Sequence, residues 1–370
     1  PRRYLPSALA GALLALAGFT VAYWIGAVRA APLAQDSTVY YVAAKIGLDH
    51  GWDRIYDLAL QAQTLAGLHP GIADPSFFLF ANPPPLAWLF TPLTLVPPLA
   101  AYLVVAALSL AALMGAAALT VSSGGWRIRI VFVLGALAWY PVVYSLRLGQ
   151  VTLIVAALVV WSWWLDRRGW PEAAGAILAL AVIKPQLVLL VAPCLLIAGR
   201  YRLVLSWLIV TLILGVGSLL SLGASGVQQY LHLLSIVRAA TYNHQFTLAA
   251  IGVGSWLTVV LQGLAAALTL MIAHRIRGQS TAAVVAVALF GGMLAAPYLH
   301  VDDFAVLAAA AWLLLSEASP LATRLWLLPT AVTIELAWVL GPLPILASLT
   351  ISLLLFWFPR PRSRSVALAA

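Results

Sequence analysis

The chain has 370 residues, of which 64% are hydrophobic and only 8% are charged. Soluble globular domains carry roughly 25% charged residues, so this composition excludes a soluble protein and predicts an integral membrane protein. A net charge of +9 would suggest a nucleic-acid partner in a soluble protein. Here the basic residues are explained by the orientation of membrane spans, and no nucleic-acid partner is expected.

The apolar runs predict an all-α, multi-pass protein with about 12 transmembrane helices, since roughly 20 apolar residues cross a bilayer. No cleavage site of the A-x-A type follows the first run, which is therefore predicted to be a retained helix. The whole chain, 1–370, is predicted to form one membrane domain. The predicted spans are 6–28, 98–121, 129–146, 151–165, 172–183, 186–199, 203–223, 250–273, 280–298, 304–316, 325–340 and 342–358.

The arginines predict the orientation of these spans. With a cytoplasmic N-terminus and alternating sides, 14 of the 20 basic residues fall in the cytoplasm, where membrane proteins enrich Lys and Arg. The outer side then holds 7 of the 11 acidic residues, Asp74 among them, and 5 of the 6 histidines. Acid–base chemistry is therefore predicted on the outer face. The 14 residues are Arg2, Arg3, Arg127, Arg129, Arg167, Arg168, Arg200, Arg202, Arg275, Arg277, Arg324, Arg360, Arg362 and Arg364.

Two long outer loops, 29–85 and 224–249, are predicted to carry the site. Within the second, "YLHLLSIVRAA" has helical apolar spacing and is predicted to lie along the membrane interface. The segment "NPPPLAWLFTPLTLVPP" (82–98) is too short and proline-bounded for a full span. It is predicted to be an interfacial or re-entrant helix that Pro83 to Pro85 begin.

Lys184 interrupts an apolar run that has arginines at both ends, so both ends are predicted to be cytoplasmic. About 26 apolar residues separate these arginines, whereas two full spans need ~40. We predict two short helices broken at Lys184-Pro185, because proline removes a backbone donor and disfavours a helical residue before it. Lys184 is then either a snorkelling side chain or, together with Arg147, the binding site of an anionic group such as a lipid phosphate.

Asp36 lies just beyond the first span, before the helical pattern "STVYYVAAKIGL". Two roles stay open for it. As the residue before a helix, it could accept backbone N–H groups as an N-cap. As a general base, it could take a proton from an acceptor hydroxyl that attacks the anomeric carbon of a sugar, with phosphate as the leaving group.

Other outer residues are predicted to bind substrate. His300, Asp302 and Asp303 in "YLHVDDF" are interpreted as ligands of substrate hydroxyls. Metal binding is disfavoured because no partner cluster accompanies them, and Asp303 could instead cap the next helix. Asn243 and Gln245 in "YNHQF" could bind sugar hydroxyls, with loop packing as an equal alternative.

Two residues inside predicted spans are interpreted as structural. Glu335 in "VTIELAW" is an intramembrane acid, for which a buried, hydrogen-bonded role is favoured over a functional one. Cys194 is the single cysteine, so it forms no internal disulfide and is predicted to be buried.

Five motifs, in this order, resemble one enzyme family: "DSTVYYVAAKIGLDHGWDRIYD", "NPPPLAWLFTPLTLVP", "LGQVTLIVAAL", "VIKPQLVLL" and "APYLHVDDF". The chain resembles glycosyltransferase family 87 from about residue 30 to 310. These are GT-C-fold enzymes of the alpha-mannosyltransferase type that use polyprenyl-phosphate sugars, formerly a domain of unknown function. The resemblance implies a polyprenyl-phosphate hexose donor, a lipid-linked or glycan acceptor, inversion at the anomeric carbon and no cofactor. It also implies that the reaction takes place at the outer face of the cytoplasmic membrane, where the enzyme is surrounded by membrane lipids.

The resemblance carries over to individual residues. The catalytic aspartate of the family, in the first outer loop, matches Asp36. The lysine–proline pair of the family matches Lys184 and Pro185. Its glycine–glutamine pair matches Gly149 and Gln150, and Gln150 is taken as a further substrate-binding residue.

The chain also departs from the family pattern. It has Asn82-Pro83-Pro84 where the family commonly has Tyr-Pro-Pro, and Asp302-Asp303 where the family often has Tyr-Asp. The second difference adds a charge near the predicted site, so the identity of the acceptor is not carried over.

Two other functions are weighed against the enzyme. A transporter or flippase of lipid-linked sugars is typically built from inverted repeats with matched broken helices. Only one broken pair is predicted here, and the polar groups gather on one side. A non-catalytic membrane scaffold would leave the one-sided acids and Lys184 unexplained. The glycosyltransferase is therefore the leading prediction.

Overall fold

The computed structural model describes residues 5–31, 33, 35–69, 78–121, 125–317 and 321–358. Every regular element that these residues form is a helix. The α-helices are α1 (Leu5–Ala30), α2 (Ser37–His50), α3 (Leu58–Leu68), α4 (Pro84–Phe90), α5 (Pro98–Thr120), α6 (Trp126–Leu137), α7 (Tyr140–Leu148), α8 (Thr152–Arg167), α9 (Pro171–Ala179), α10 (Val191–Ile197), α11 (Tyr201–Ala239), α12 (Ser255–Arg275), α13 (Thr281–Ala295), α14 (Leu307–Ser316), α15 (Leu321–Glu335), α16 (Ala337–Leu340) and α17 (Pro342–Leu354). Short 3₁₀ helices are formed by Trp52–Arg54, Thr91–Leu95, Leu180–Ile183, Pro185–Val188, Thr241–His244, Leu248–Ile251 and Val301–Val306.

Four described helices are long and apolar enough to cross a membrane: Ala10–Ala30, Pro98–Thr120, Tyr201–Ala239 and Ser255–Arg275. The number becomes five if α6 and α7, which meet at a bend of 70°, are one broken span. The predicted count of about 12 spans is thus not confirmed. Several predicted spans are helices of 10 to 16 residues, and at about 1.5 Å per residue these reach only ~15–24 Å, less than a bilayer core of about 30 Å.

The helices differ in how they are surrounded. All 15 residues of α13 are buried in the protein. In α11, by contrast, only 6% of the most apolar stretch is buried, and its outward face carries side chains such as Ile213 and Leu220. Because a large apolar face is unfavourable in water, α11 has the surface of a helix that contacts lipid.

Prolines begin several helices, where a missing N–H removes no helical hydrogen bond. Pro84 is the first residue of α4, followed by the 3₁₀ turn Thr91–Leu95, so the predicted short helix after Asn82 is observed. Pro98, Pro171 and Pro342 begin α5, α9 and α17 in the same way.

The helix break predicted at Lys184-Pro185 is observed. The helical run from Pro171 ends with the 3₁₀ turn Leu180–Ile183, and Lys184 is non-helical, with φ −144° and ψ 70°. A second run, Pro185–Ile197, then begins at the proline. Cys194 lies in this second run and is fully buried, as predicted.

The predicted outer loops contain more helix than their definition as loops implies. The first, 29–85, contains α2 and α3. In the second, 224–249, helical structure extends to Ala239, so the helix expected around "YLHLLSIVRAA" is present but begins right after a kink. The kink lies at Gly223, with φ 57° and ψ −170°, a conformation that glycine adopts without a steric penalty.

One end of the helix bundle is rich in arginine. Arg200 contacts Asp166 at 3.4 Å and donates to the Thr281 hydroxyl at 2.5 Å. We call this the arginine end; it comprises Asp166, Arg167, Glu172, Arg200, Arg202, Thr281 and Glu317. Its other ion pairs are Arg167 with Glu317, at 3.3 Å, and Arg202 with Glu172, at 2.7 Å.

Some predicted positions fall on residues outside the described part of the chain. These are Arg2, Arg3, Asp74, Arg360, Arg362 and Arg364. The organisation of 1–370 as one domain stays a prediction.

Candidate active site

Asp36 stands directly before α2, but its side chain does not cap that helix. Its backbone is already helical, with φ −64° and ψ −26°, whereas an N-cap residue usually has an extended backbone. The carboxylate Oδ2 instead accepts a hydrogen bond of 2.5 Å from Nε2 of Gln150. The geometry therefore rules out side-chain capping and brings Asp36 together with one of the other predicted site residues.

Gly149 allows Gln150 to reach Asp36. It ends α7 in the left-handed conformation, with φ 64° and ψ 31°. The amides of Gly149 and Gln150 donate back to Leu146 and Ser145, the pattern of a glycine-terminated helix. A Cβ at position 149 would lie 2.5 Å from Ser37 Oγ, so only glycine lets the end of α7 approach the start of α2 this closely.

Gln150 has hydrogen-bond partners at both ends of its amide. Its Oε1 accepts from the Tyr40 hydroxyl at 2.5 Å and from Lys184 Nζ at 3.0 Å, while Nε2 faces Asp36. Tyr40 lies one helical turn after Asp36, on the same side of α2. The three residues Tyr40, Gln150 and Lys184 are all buried.

Lys184 is only 4% exposed, and carboxylates surround its ammonium group. Nζ contacts Asp303 Oδ1 at 2.6 Å and Asp302 Oδ2 at 2.9 Å, and it donates to Thr152 Oγ1 at 2.9 Å. Together with Gln150 these are four acceptors around the three protons that a lysine can donate. Lys184 is therefore not a snorkelling side chain. The sequence predicted an anion-binding cation, and the structure places two aspartates of this chain where the anion was expected.

Seven residues form this site, which we call the acidic cluster: Asp36, Tyr40, Gln150, Thr152, Lys184, Asp302 and Asp303. The cluster holds three carboxylates and one lysine, which leaves an excess of negative charge if all of them are ionised. Burial raises the pKa of the Asp36 carboxyl to about 6, and the charge of Asp302 acts in the same direction. The hydrogen bond from Gln150 opposes this rise, because it favours the ionised carboxylate.

Arg147 lies three residues before Gln150, near the end of α7, and its guanidinium packs against tyrosines. Nη1 donates to the Tyr23 hydroxyl at 2.5 Å, and Cζ lies 5.4 Å from the Tyr23 ring and 5.6 Å from the Tyr144 ring. Tyr144 is itself within electrostatic range of Asp36. Among the described residues, no carboxylate forms an ion pair with Arg147, so its charge is not neutralised as that of Lys184 is.

His300 and Asn243 hold two chain segments together. His300 Nε2 and Asn243 Oδ1 are 2.8 Å apart, and Asn243 Nδ2 donates to the Val237 carbonyl at 2.7 Å. The His300 amide donates to Asp303 Oδ2 at 2.9 Å. Both groups of the Asn243 amide are thus used within the protein, which favours loop packing, the alternative that the sequence left open.

Gln245 is half-buried, and its side chain has no hydrogen-bond partner among the described residues. The structure therefore does not bring it into the acidic cluster. Within the described part of the chain, no group of three or more His, Cys, Asp or Glu side chains is arranged to hold a metal ion. The absence of a metal or another cofactor from the reaction stays a prediction.

The sequence model described as glycosyltransferase family 87 matches residues 80–297, which is more than half of the chain. The chain belongs to glycosyltransferase family 87. This family indicates a glycosyltransferase activity. No curated protein and no solved structure matches the sequence.

The family 87 match covers only part of the site, and the fold joins this part to the rest. Gln150 and Lys184 lie inside the matched segment, and each contacts a carboxylate outside it. The predicted residues inside the segment are Arg147, Gln150, Lys184, Asn243 and Gln245. Those outside it are Asp36, His300, Asp302 and Asp303.

Two members of the acidic cluster in this family 87 enzyme were not predicted from the sequence. Tyr40 could have been found from its spacing of four residues after Asp36, which places both on one side of a helix. Thr152 offers no comparable signal, because its hydroxyl reaches a lysine 32 residues away in sequence.

Glu335 acts on the helix that carries Arg147. Its Oε2 accepts from the Tyr140 amide at 2.7 Å, at the first residue of α7. Beside it, Trp139 Nε1 donates to the Ala331 carbonyl at 3.1 Å. The predicted hydrogen bonding of Glu335 is therefore observed, but its side chain is half-buried, not fully buried as predicted. A carboxylate at the N-terminus of a helix also interacts favourably with the helix dipole.

Proposed function

We propose that this family 87 glycosyltransferase transfers a hexose from a polyprenyl-phosphate sugar to a lipid-linked or glycan acceptor, and that the hexose is mannose. Asp36 is the general base and Arg147 binds the donor phosphate. The reaction inverts the anomeric carbon and takes place at the outer face of the cytoplasmic membrane. The arrangement around Asp36 is the observation that supports this proposal most directly.

Asp36 has the properties that a general base requires. Its Oδ2 is held by Gln150, and no described residue donates to Oδ1. A pKa of about 6 leaves about nine-tenths of the carboxyl ionised at pH 7 and makes it a stronger proton acceptor than an ordinary aspartate. A residue whose only task was to begin α2 would need neither property.

The proposed reaction is one displacement at the anomeric carbon. The oxygen of the acceptor hydroxyl forms a bond to this carbon, and Asp36 takes the hydroxyl proton. The bond between the anomeric carbon and the phosphate oxygen breaks, and polyprenyl phosphate leaves with the electron pair. Because phosphate is already a good leaving group, no second acid is needed in this proposal.

Arg147 is the cation that best fits the donor phosphate. Guanidinium groups bind phosphate with several N–H donors, and Arg147 is not neutralised by a described carboxylate. The tyrosines around it hold the guanidinium near the end of α7. The sequence also predicted Lys184 as a phosphate ligand, but a phosphate there would have to compete with Asp302 and Asp303.

The membrane topology is part of the proposal. We propose a GT-C-like fold with about 12 membrane helices, counting the short buried ones, and cytoplasmic termini. Two groups of contacts support helices that cross the membrane in alternating directions. Loops predicted on the outer side meet in the acidic cluster, and helix ends predicted on the cytoplasmic side meet at the arginine end.

The test is sugar transfer by the full chain in lipid, with polyprenyl-phosphate mannose and an extract of membrane lipids as acceptor. Wild type should transfer the sugar. Asp36→Asn should fold normally and lose nearly all turnover, because the amide cannot accept the proton. Arg147→Gln should raise the donor KM more than it lowers kcat. Equal transfer by wild type and Asp36→Asn would remove Asp36 as the base.

The same preparation tests the transporter or flippase. Vesicles loaded with the labelled donor report whether it moves across the bilayer without losing its sugar. Movement without consumption, unaffected by Asp36→Asn, would favour a flippase over the proposed transferase.

A further inference from the structure

We propose that Gln150 is a positioning residue that aims Asp36 and sets its proton affinity, and that Tyr40 and Lys184 orient the Gln150 amide. This inference rests on the proposed role of Asp36 as general base. It gives Lys184 a task different from the phosphate binding that its sequence context suggests.

The orientation of the Gln150 amide is fixed by its neighbours. A lysine ammonium can only donate hydrogen bonds, and an ionised aspartate can only accept them. Lys184 Nζ lies 3.0 Å from one end of the amide, and Asp36 Oδ2 lies 2.5 Å from the other. A flipped amide would set its NH2 group against the Lys184 ammonium, a donor against a donor, and its oxygen against the Asp36 carboxylate, an acceptor against an acceptor. The Tyr40 hydroxyl, 2.5 Å from Oε1, reinforces the same orientation.

A fixed Nε2 has two effects on Asp36. It occupies Oδ2, so Oδ1 is the oxygen that can take the proton from the hydroxyl group of the sugar acceptor. The proton is therefore taken from one defined side of the carboxylate. Nε2 also favours the ionised carboxylate, whereas burial and Asp302 favour the protonated form. The charged and titratable groups that act on Asp36 are Tyr40 from α2, Tyr144 from α7, Lys184 from the helix break, and His300 and Asp302 from the segment before α14.

Lys184 is suited to this orienting task and poorly suited to a phosphate. Its charge is already balanced by Asp302 at 2.9 Å and Asp303 at 2.6 Å. A further anion would add negative charge to a buried group whose net charge is already negative, which is unfavourable at low dielectric. The amide oxygen of Gln150, in contrast, is an uncharged acceptor that completes the shell of the ammonium group.

The central variant is Gln150→Met, which keeps the side-chain length and removes the amide. Its matched control is Gln186→Met. Gln186 is 5% exposed, close to the 7% of Gln150, and follows the same helix break. Neither end of its amide bonds to a described residue, so the control changes a buried glutamine without touching Asp36.

The first readout does not depend on the donor. Infrared difference spectra of the full chain in lipid, titrated with acid, identify the Asp36 carboxyl as the band that is missing in Asp36→Asn. Its midpoint should move to higher pH in Gln150→Met and stay in place in Gln186→Met. An unchanged midpoint in Gln150→Met would overturn the proposal. If wild type transfers no sugar, the proposed function fails, but this titration still decides the role of Gln150.

The second readout is kinetic. Gln150→Met should lower kcat about 10- to 100-fold, the loss expected when a reacting group is misplaced by about 1 Å. The donor KM should change less than about twofold, since Gln150 does not bind the donor in this account. A rise in donor KM at constant kcat would instead make Gln150 a substrate-binding residue, as the sequence predicted, and would overturn the positioning role.

A double-mutant cycle tests whether Tyr40 acts through Gln150. Tyr40→Phe alone should lower kcat, because it removes one of the two donors to Oε1. In the Gln150→Met background the same substitution should have no further effect on kcat. Full additivity would show that Tyr40 acts independently of Gln150 and would overturn this part of the proposal.

Discussion

The acidic cluster and the arginine end both pair cations with carboxylates, but they do so in different surroundings. At the arginine end, Arg202 is 75% exposed and its partner Glu172 is 55% exposed. In the acidic cluster, Lys184 and its two aspartates are almost completely buried. Water screens the first kind of pair and leaves it little to contribute, while a buried cation depends fully on its partners. The burial of a charged pair, more than the distance between its charged atoms, therefore decides how much the pair contributes to stability.

The largest effect is expected from Lys184→Met. Removing the cation leaves Asp302 and Asp303 buried and uncompensated, which should lower the free energy of unfolding by about 3–5 kcal/mol. Thermal unfolding in detergent or lipid measures the change. The variant Lys184→Met with Asp302→Asn and Asp303→Asn should recover part of the loss, because the two carboxylates that contact Lys184 are then neutral. A single variant as stable as wild type would show that the aspartates are already protonated.

A smaller structural effect is expected from Gly149→Ala. Alanine in a left-handed conformation costs about 1–2 kcal/mol, and its Cβ would also collide with Ser37 Oγ. We expect the end of α7 to shift and sugar transfer to fall. Gly169→Ala, after α8 at the arginine end, is the matched control: its φ is +80°, but nothing lies within 4 Å of the added Cβ. Gly169→Ala should be destabilised only by the left-handed backbone conformation and should keep its activity. Equal losses of activity would refute the importance of the close approach to α2.

The pH dependence of activity should report on Asp36 in the acidic cluster, because this is the group that takes the proton in the proposed reaction. The Asp36 pKa is raised to about 6 by burial, so kcat/KM should fall about tenfold per pH unit below that value, as the base becomes protonated. Between the ordinary carboxyl pKa and 6 the folded state binds more protons than the unfolded state, so this group stabilises the fold as pH falls. The loss of activity should therefore precede unfolding. An acid limb near pH 4 would contradict the raised pKa.

The smallest effect is expected from Arg202→Gln at the arginine end. Its ion pair with Glu172 is solvent-exposed, and such pairs contribute little to stability. Neither the unfolding temperature nor the rate of sugar transfer should change measurably. A clear drop in either would mean that the two ends are less different than their burial indicates.

Part of the fold could be predicted because local chemistry determines it. Proline at position 185 breaks the helix whatever surrounds it, and Pro84 begins a short helix for the same kind of reason. The number of membrane spans was harder to predict from the sequence than these helix boundaries. An apolar run predicts burial but does not distinguish lipid from protein, and α13 satisfies its apolar composition entirely inside the protein.

The sequence predicted which residues belong to the candidate site better than it predicted which of them contact each other. The sequence identified Asp36, Gln150, Lys184, Asp302 and Asp303, all of which belong to the acidic cluster. It did not reveal that Lys184 faces the aspartates, because that pairing joins residues 118 positions apart and depends on tertiary packing. Helix spacing contains no information about such distances.

The hydrogen bond from the Tyr140 amide to Glu335 has a consequence for engineering this enzyme. The start of α7 is held by Glu335 of α15, and the preceding Trp139 is held by Ala331 of the same helix. At its end, Gln150 is held by Asp36, Tyr40 and Lys184. The helix that carries Arg147 and leads into Gln150 is therefore held at both ends, and Glu335 lies nearly 200 residues away from Tyr140 in sequence. A chimaera that exchanges α15, α16 and α17 with those of a relative would have to preserve this hydrogen bond, even though no side chain of these three helices belongs to the acidic cluster.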